Sequence, residues 1–460
     1  MKKLANFIRI QNGYAFKSSE FSNDKNGIPV IKIGNITGGN FVDLSSYQTV
    51  SNKLLGNLSN YLTKDNDILI AMTGANVGKV SRIAPNERAC FINQRVGRIL
   101  IHKDCEYSSD FIYYLLSSSK SYQYFSKIAY GAAQPNISGK LIEDLDFPEV
   151  SIKQGNKAAE LLRKIDQKIL LNTQTNQTLE QIAQGIFKHW FIDFAPVHAK
   201  ANALARGETT EQAEVAAMAC LSGKTAEKIT ALKTQDPTAY HQLQQTAAAF
   251  PSEFVETEMG EVPKGWEYRK AEDLFDIGIG KTPPRKESKW FSDYEKNNIE
   301  WISIKDMGNS GSYILNSSEY LIPEAISQFN IKKIPEDTVL LSFKLTIGRI
   351  SITTKETTTN EAIAHFKTGK SYLTTEFLYC YLKDFDFDKL GSTSSIATAV
   401  NSRTIKNMDI LYPSEEIQMQ FLQKVKNVFR KIKSNTLENE YLTKYRDELL
   451  PRLLNGEIEL

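Results

Sequence analysis

The feature that most constrains this chain is a duplication. Two similar stretches recur with a period of about 265 residues. So long a period is a repeated domain and not a solenoid. The opening LANFIRIQNGYAFKSSEF from Leu4 matches AEDLFDIGIGKTPPRKESKWF from Ala271. IPVIKIGNITGGNFVDLSS from Ile28 matches IEWISIKDMGNSGSYILNSS from Ile299, and DNDILIAMTGANVGKVSRI from Asp65 matches EDTVLLSFKLTIGRISIT from Glu336. Gly78-Lys79 falls opposite Gly348-Arg349, and Asn93-Gln94 opposite Asn360-Glu361. Each half then has an aromatic helical stretch, from Asp110 and Glu376, and a strand ending at Pro148 or Pro413. Short alternating apolar runs bounded by glycine turns make both regions α+β and mainly β.

A long helical segment follows each proline, about Ser151 to Phe191 and Ser414 to Leu454, aligned at an offset of 263. The first has inner positions Ala158, Leu162, Ile165, Ile169, Asn172, Asn176, Leu179, Ile182 and Ile186. The second has Phe421, Val425, Val428, Ile432, Asn435, Asn439, Leu442, Tyr445 and Leu449. Steps of mostly 4 and 3 are a coiled-coil seam, in helices about 60 Å long. Pro451 is expected to kink or end the second helix. Asn172 and Asn176 sit where Asn435 and Asn439 sit, so antiparallel pairing brings them together. Seam asparagines fix register at a cost in stability; the alternative is a solvated weak point in mid-helix.

The expected architecture is two similar mainly-β domains joined by two long antiparallel coiled-coil spacer helices, with pseudo-two-fold symmetry. Its boundaries are 1–150 for the first domain, 151–194 for the first helix, 195–265 for a helical insert and linker, 266–413 for the second domain, and 414–460 for the second helix and tail. Two like surfaces at a fixed separation suit duplex DNA, whose major groove recurs every 34–36 Å or so.

Composition agrees without deciding. With 41% apolar and 24% charged residues the chain is globular, and a net charge of +2 neither demands nor excludes nucleic acid. Cys90, Cys105, Cys220 and Cys380 are far apart, which argues against a zinc site or disulfide framework and suits a reducing cytoplasm. No apolar run is long enough for a signal peptide or membrane span. Catalytic signatures are wanting too. Pro283-Pro284 lies between Thr282 and Arg285 and does not make the amine-holding motif of adenine methyltransferases. Gly280-Lys281-Thr282 has Phe275 where a phosphate-binding loop needs glycine, and Gly74 to Lys79 is one residue short.

The segments EQIAQGIFKHWFIDFAPVHAKANA (Glu180 to Ala203), FPSEFVETEMGEVPKGWE (Phe250 to Glu267) and LTKYRDELLPRLLNGEI (Leu442 to Ile458) resemble the conserved regions of type I restriction–modification specificity subunits, the HsdS family. The likeness covers essentially the whole chain, though no counterpart of Pro263-Lys264-Gly265-Trp266-Glu267 precedes Leu4. The resemblance implies a non-catalytic subunit whose two target-recognition domains read the halves of a bipartite site across an unread gap. It implies double-stranded DNA and two methylation subunits as partners, with S-adenosylmethionine on the latter for adenine-N6 methylation. Motor/nuclease subunits using ATP and magnesium would add cleavage; no cofactor is expected on this chain, nor any membrane. The alternatives are an orphan or decoy specificity chain and a self-contained methyltransferase or nuclease.

Phosphates need Lys, Arg or loop amides, and base edges need Arg, Lys, Asn or Gln. The first domain offers Lys17, Lys32, Asn35, Lys79, Arg82, Asn93, Gln94, Arg95, Gln134 and Asn136. The second offers Lys281, Arg285, Lys286, Lys289, Lys305, Lys344, Arg349, Asn360, Asn401 and Arg403. For any one of them a solvated surface role is the competing reading. His189, Trp190, Phe191 and Phe194 at the first helix end are expected either to dock a methylation subunit or to pack inside the chain.

Overall fold

The computed structural model describes residues 2–129, 135–391 and 400–458. The chain divides into two units, residues 1–171 with 439–460, and residues 172–438. Among described residues no helix is long and apolar enough to cross a membrane.

In the first unit, Ile8–Asn12, Val96–Ile101, Ile68–Ala71 and Val80–Arg82 form an antiparallel sheet in that order. A second sheet orders Gln48–Val50, Ile28–Ile31 and Phe91–Ile92, the last pair parallel. The run Ile-Leu-Ile-Ala over 68–71 is wholly buried because its two faces serve different cores. Ile68 and Ile70 join Leu4, Ile99 and the helix Ser109–Ser117, while Leu69 and Ala71 join Ile31, Ile36 and Ile92. Alternation of side chains across a strand produces that division.

The second unit repeats the plan. Its main sheet orders Asp276–Ile279, Ile363–Lys367, Val339–Ser342, Ile350–Thr353 and Tyr313–Ile314. Ile299–Ile302 runs parallel to Thr358–Thr359, as Ile28–Ile31 does to Phe91–Ile92. Val339 and Leu341 face one core and Leu340 another. The helices Ser109–Ser117 and Thr375–Asp384 both start at a side-chain cap: Ser108 accepts from the Phe111 N–H, and Thr374 from the Phe377 N–H. Four helices lie between the halves, Ala195–Ala205, Thr210–Ser222, Ala226–Gln235 and Pro237–Ala249, with a small core of Ala217, Met218, Ile229 and Ala247.

The long helices span Ile152–Phe187 and Glu415–Leu454. They run antiparallel within each unit: Asp166 meets Arg446 at 2.8 Å in the first, and Asn176 meets Asn435 at 2.9 Å in the second. The expected seam holds through Leu162, Asn172, Phe421, Val425, Ile432 and Asn435, and three positions are corrected. Ile182 and Tyr445 are exposed; Ala183 is buried instead, and Arg446 turns toward Asp166. Phe429 rather than half-buried Val428 fills the third. Reaching Ile182 or Tyr445 requires two consecutive three-residue steps, which fall about 120° short of two turns at 3.6 residues per turn. Pro451 does not end the helix, which continues to Leu454. The first helix ends in a π-helical turn, Lys188–Ile192, followed by left-handed Phe194 (φ 44°).

Candidate nucleic-acid interface

Each unit gathers loops from separate strands into one hydrogen-bonded cluster. In the first, the Asn93 N–H donates to the Ile31 carbonyl at 3.0 Å, Met72 to Arg95 at 3.0 Å, Gly74 to Pro135 at 3.2 Å and Ile137 to Met72 at 2.9 Å. The Asn76 amide bridges them, donating to the Ile33 carbonyl at 3.1 Å and accepting from Lys79 Nζ at 3.0 Å. In the second, Asn360 donates to Ile302 at 3.0 Å, Phe343 to Ala362 at 2.9 Å and Lys281 to Thr359 at 3.0 Å. Gly13 and Gly280 occupy the same place in the two clusters. A Cβ at either would stand 2.2 Å from the carbonyl oxygen of Asn93 or Asn360, so only glycine fits.

These clusters bring together many of the candidate side chains. Around the first lie Lys32, Lys79, Asn93, Gln94, Arg95 and Asn136, with Gln94, Arg95 and Asn136 exposed. Lys32 is held by Gln48 Oε1 at 2.5 Å and over the Phe21 ring at 3.8 Å. Lys17 is exposed, and Gln134 lies outside the described residues. Around the second lie Lys281, Arg285, Lys305, Lys344, Arg349 and Asn360. Lys286, Lys289, Asn401 and Arg403 are exposed; Lys289 sits over Trp290 at 4.5 Å. The Asn401 carboxamide oxygen caps the helix Ser402–Lys406.

Several candidates are held by intramolecular contacts, two of them, Arg82 and Asn35, in the interior. Arg82 is buried, bonded to Asp110 at 2.5 Å and Asn40 at 2.7 Å, and stacked on Tyr113 at 4.0 Å, so it presents no guanidinium to a ligand. Asn35 is buried and ties its own loop to the Asp43 and Ser46 carbonyls, at 2.8 Å each. Arg285 forms a fork on Glu319 at 2.6 and 2.9 Å and lies 4.3 Å from both the Phe291 and Trp301 rings. Arg349 donates to the Ile304 carbonyl at 2.6 Å. Lys281 reaches the Phe329 carbonyl at 3.2 Å.

The helix-end aromatics are mostly internal. Trp190 and Phe191 are buried among Phe250, Trp266, Phe377 and Phe421, so packing rather than docking accounts for both. Half-buried Phe194 packs on Phe254 and Trp266, and His189 lies 3.4 Å from Cys220 Sγ. Two exposed apolar residues in the second cluster, Leu345 and Ile347, escaped the sequence reading, which looked for polar readers. For Leu345 the signal was a bulky apolar residue at the third place after the strand, where the first copy has Gly74. No group of three or more His, Cys, Asp or Glu side chains able to hold a metal lies among the described residues.

Two clusters of one construction, each on its own sheet and bearing different side chains, define a duplicated recognition protein. The type I restriction modification DNA specificity domain matches residues 1–181 and 263–444, and the chain belongs to that family of specificity subunits, which are not themselves catalytic. The chain is 39% identical over 360 residues to the type I restriction enzyme HindI specificity subunit of Haemophilus influenzae, covering 76% of this chain and 77% of that one. It is 24% identical over 428 residues to the EcoBI specificity subunit of Escherichia coli, covering 91% and 77%. The crystal structure of an S subunit from M. genitalium matches with a TM-score of 0.49 and 15% identity, over 98% of this chain and 95% of that one.

Proposed function

We propose that this specificity subunit reads a split DNA site, one half through each loop cluster, and directs adenine-N6 methylation and cleavage by its partners. The observation that carries the reading is one loop framework built twice with divergent side chains: Tyr14 against Lys281 and Gln94 against Glu361. A repeated frame with changed contacts is what two different half-sites require. Exposed Lys17, Lys286, Lys305, Lys344 and Arg403 would take phosphates. Gln94, Arg95, Asn136 and Asn360 would face base edges, and the helices would set the unread gap. The seam asparagines Asn172, Asn176, Asn435 and Asn439 would fix helix register.

Two methylation subunits, carrying S-adenosylmethionine, would assemble on this chain in the cytoplasm. Motor subunits using ATP and magnesium would complete the restriction complex. The test is a map of N6-methyladenine in cells carrying the methylation subunit, with and without this chain. A split motif dependent on the chain is the expected result. An assembled complex without a motif would favour a decoy role.

A further inference from the structure

The loop joining Val339–Ser342 to Ile350–Thr353 holds a bulky apolar side chain where both backbone and solvent disfavour it. Leu345 has a φ of 62° and is 97% exposed. The Thr346 N–H donates to the Lys344 carbonyl at 2.7 Å, closing a three-residue turn with Leu345 at its centre. Such turns with a positive central φ are rare and strained, and γ-branched residues seldom occupy that region. In the other copy the third residue beyond the matching strand is Gly74, also left-handed at φ 76°. Both loops thus pass through a positive φ at this place, though by different turns. One is a 3-10 turn from Gly74, closed by the Val77 N–H on the Gly74 carbonyl at 3.1 Å; the other is the tighter turn centred on Leu345. Glycine is the residue that suits a positive φ.

The turn is fixed. Ser342 Oγ donates to the Thr346 carbonyl at 2.6 Å and accepts from the Arg349 N–H at 3.0 Å, and the Gly348 N–H donates to the Ser342 carbonyl at 3.0 Å. Exposed Ile347 and Lys344 flank the leucine. Packing does not explain the side chain, and strain opposes it; contact with a ligand gives it a use. Among DNA groups, the apolar one open to such a contact is the 5-methyl of thymine in the major groove.

We propose that Leu345 is a specificity residue of the second unit, reading a thymine methyl in its half-site. This rests on the split-site reading above. The probe is a duplex carrying the split motif returned by the methylation map, bound by the full chain with its methylation subunit. Each thymine is replaced in turn by deoxyuridine, which lacks only the 5-methyl. At one position the wild-type complex should lose about 4-fold in affinity, the worth of one buried methyl-sized group. L345G should lose a similar amount on the thymine duplex and become indifferent to the replacement there. Because L345G installs the residue the turn prefers, an unchanged or raised melting temperature would show that the loss is not misfolding. L345G binding and discriminating like wild type, or no thymine whose replacement weakens wild-type binding, would overturn the proposal. A wild-type complex that yields no split motif would instead remove the split-site reading, and this inference with it.

Discussion

Asn435 donates through Nδ2 to Oδ1 of Asn176 at 2.9 Å, inside a seam where Asn435 is 1% exposed. Asn176 in turn donates to Thr436 Oγ1 at 3.1 Å and the Ile432 carbonyl at 3.3 Å. N435L should strand the Asn176 acceptor and cost about 1–3 kcal/mol. N176L/N435L should recover most of that, since replacing both partners by apolar groups is close to neutral, and should permit misregistered oligomers. Urea unfolding with light scattering checks both halves. A double variant no more stable than the single one, and uniquely monomeric, would remove the register role.

Arg446 reaches Asp166 at 2.8 Å, and the same carboxylate accepts from the Tyr114 hydroxyl at 2.6 Å. Asp166 is buried, and R446M removes the nearer of its two cations, leaving Arg82 Nη2 at 3.8 Å. The expected cost is about 3 kcal/mol. Hydrogen exchange should show it over Ser109–Ser117, with the helix Thr375–Asp384 retaining its protection.

Trp190 lies 5.2 Å from the Phe250 ring and 6.1 Å from that of Phe421. W190A should cost about 3–5 kcal/mol in the isolated chain. A thermal melt before any partner is added separates this from docking. An unshifted melt with lost assembly would restore Trp190 to the partner surface.

His365 is buried in the second unit's main sheet, and burial lowers its pKa to about 4. The unfolded imidazole titrates near 6.5, so the unfolded chain binds the proton first as pH falls. The stability from keeping His365 neutral is therefore complete above pH about 6.5 and lost progressively between about 6.5 and 4, up to about 3 kcal/mol. H365Q should flatten that part of the pH–stability curve. A Cβ at Gly278 would sit 2.2 Å from the His365 ring, so G278A should destabilise the same sheet.

Relief of the strained turn should make L345G more stable than wild type by about 1–2 kcal/mol. Chemical denaturation measures it. A less stable variant would mean that Leu345 supports the fold.

The duplication, both long helices and most of their seam were legible because periodicity and repeated spacing are local properties of a chain. So was the pairing of Gly78 with Gly348, which adopt φ of 82° and 87°. Two of the three misplaced seam positions, Ile182 and Tyr445, follow from two consecutive three-residue steps, an angular shortfall that a list of apolar residues does not register. Arg82 shows a different limit. In sequence it is one more cation beside a glycine turn; in the fold Asp110 and Asn40 enclose it. Leu345 was missed because a search for polar readers passes over an apolar side chain.

The sequence by itself determined the family, the two-fold repetition of one module and the helix that follows each copy, since these are written in order and spacing. Tertiary structure alone decided which cations remain at the surface, which asparagines meet, and that Ile68 and Leu69 belong to different cores. The physical reason is that a charge or a strand face acquires its partner only when segments far apart in the chain close upon it.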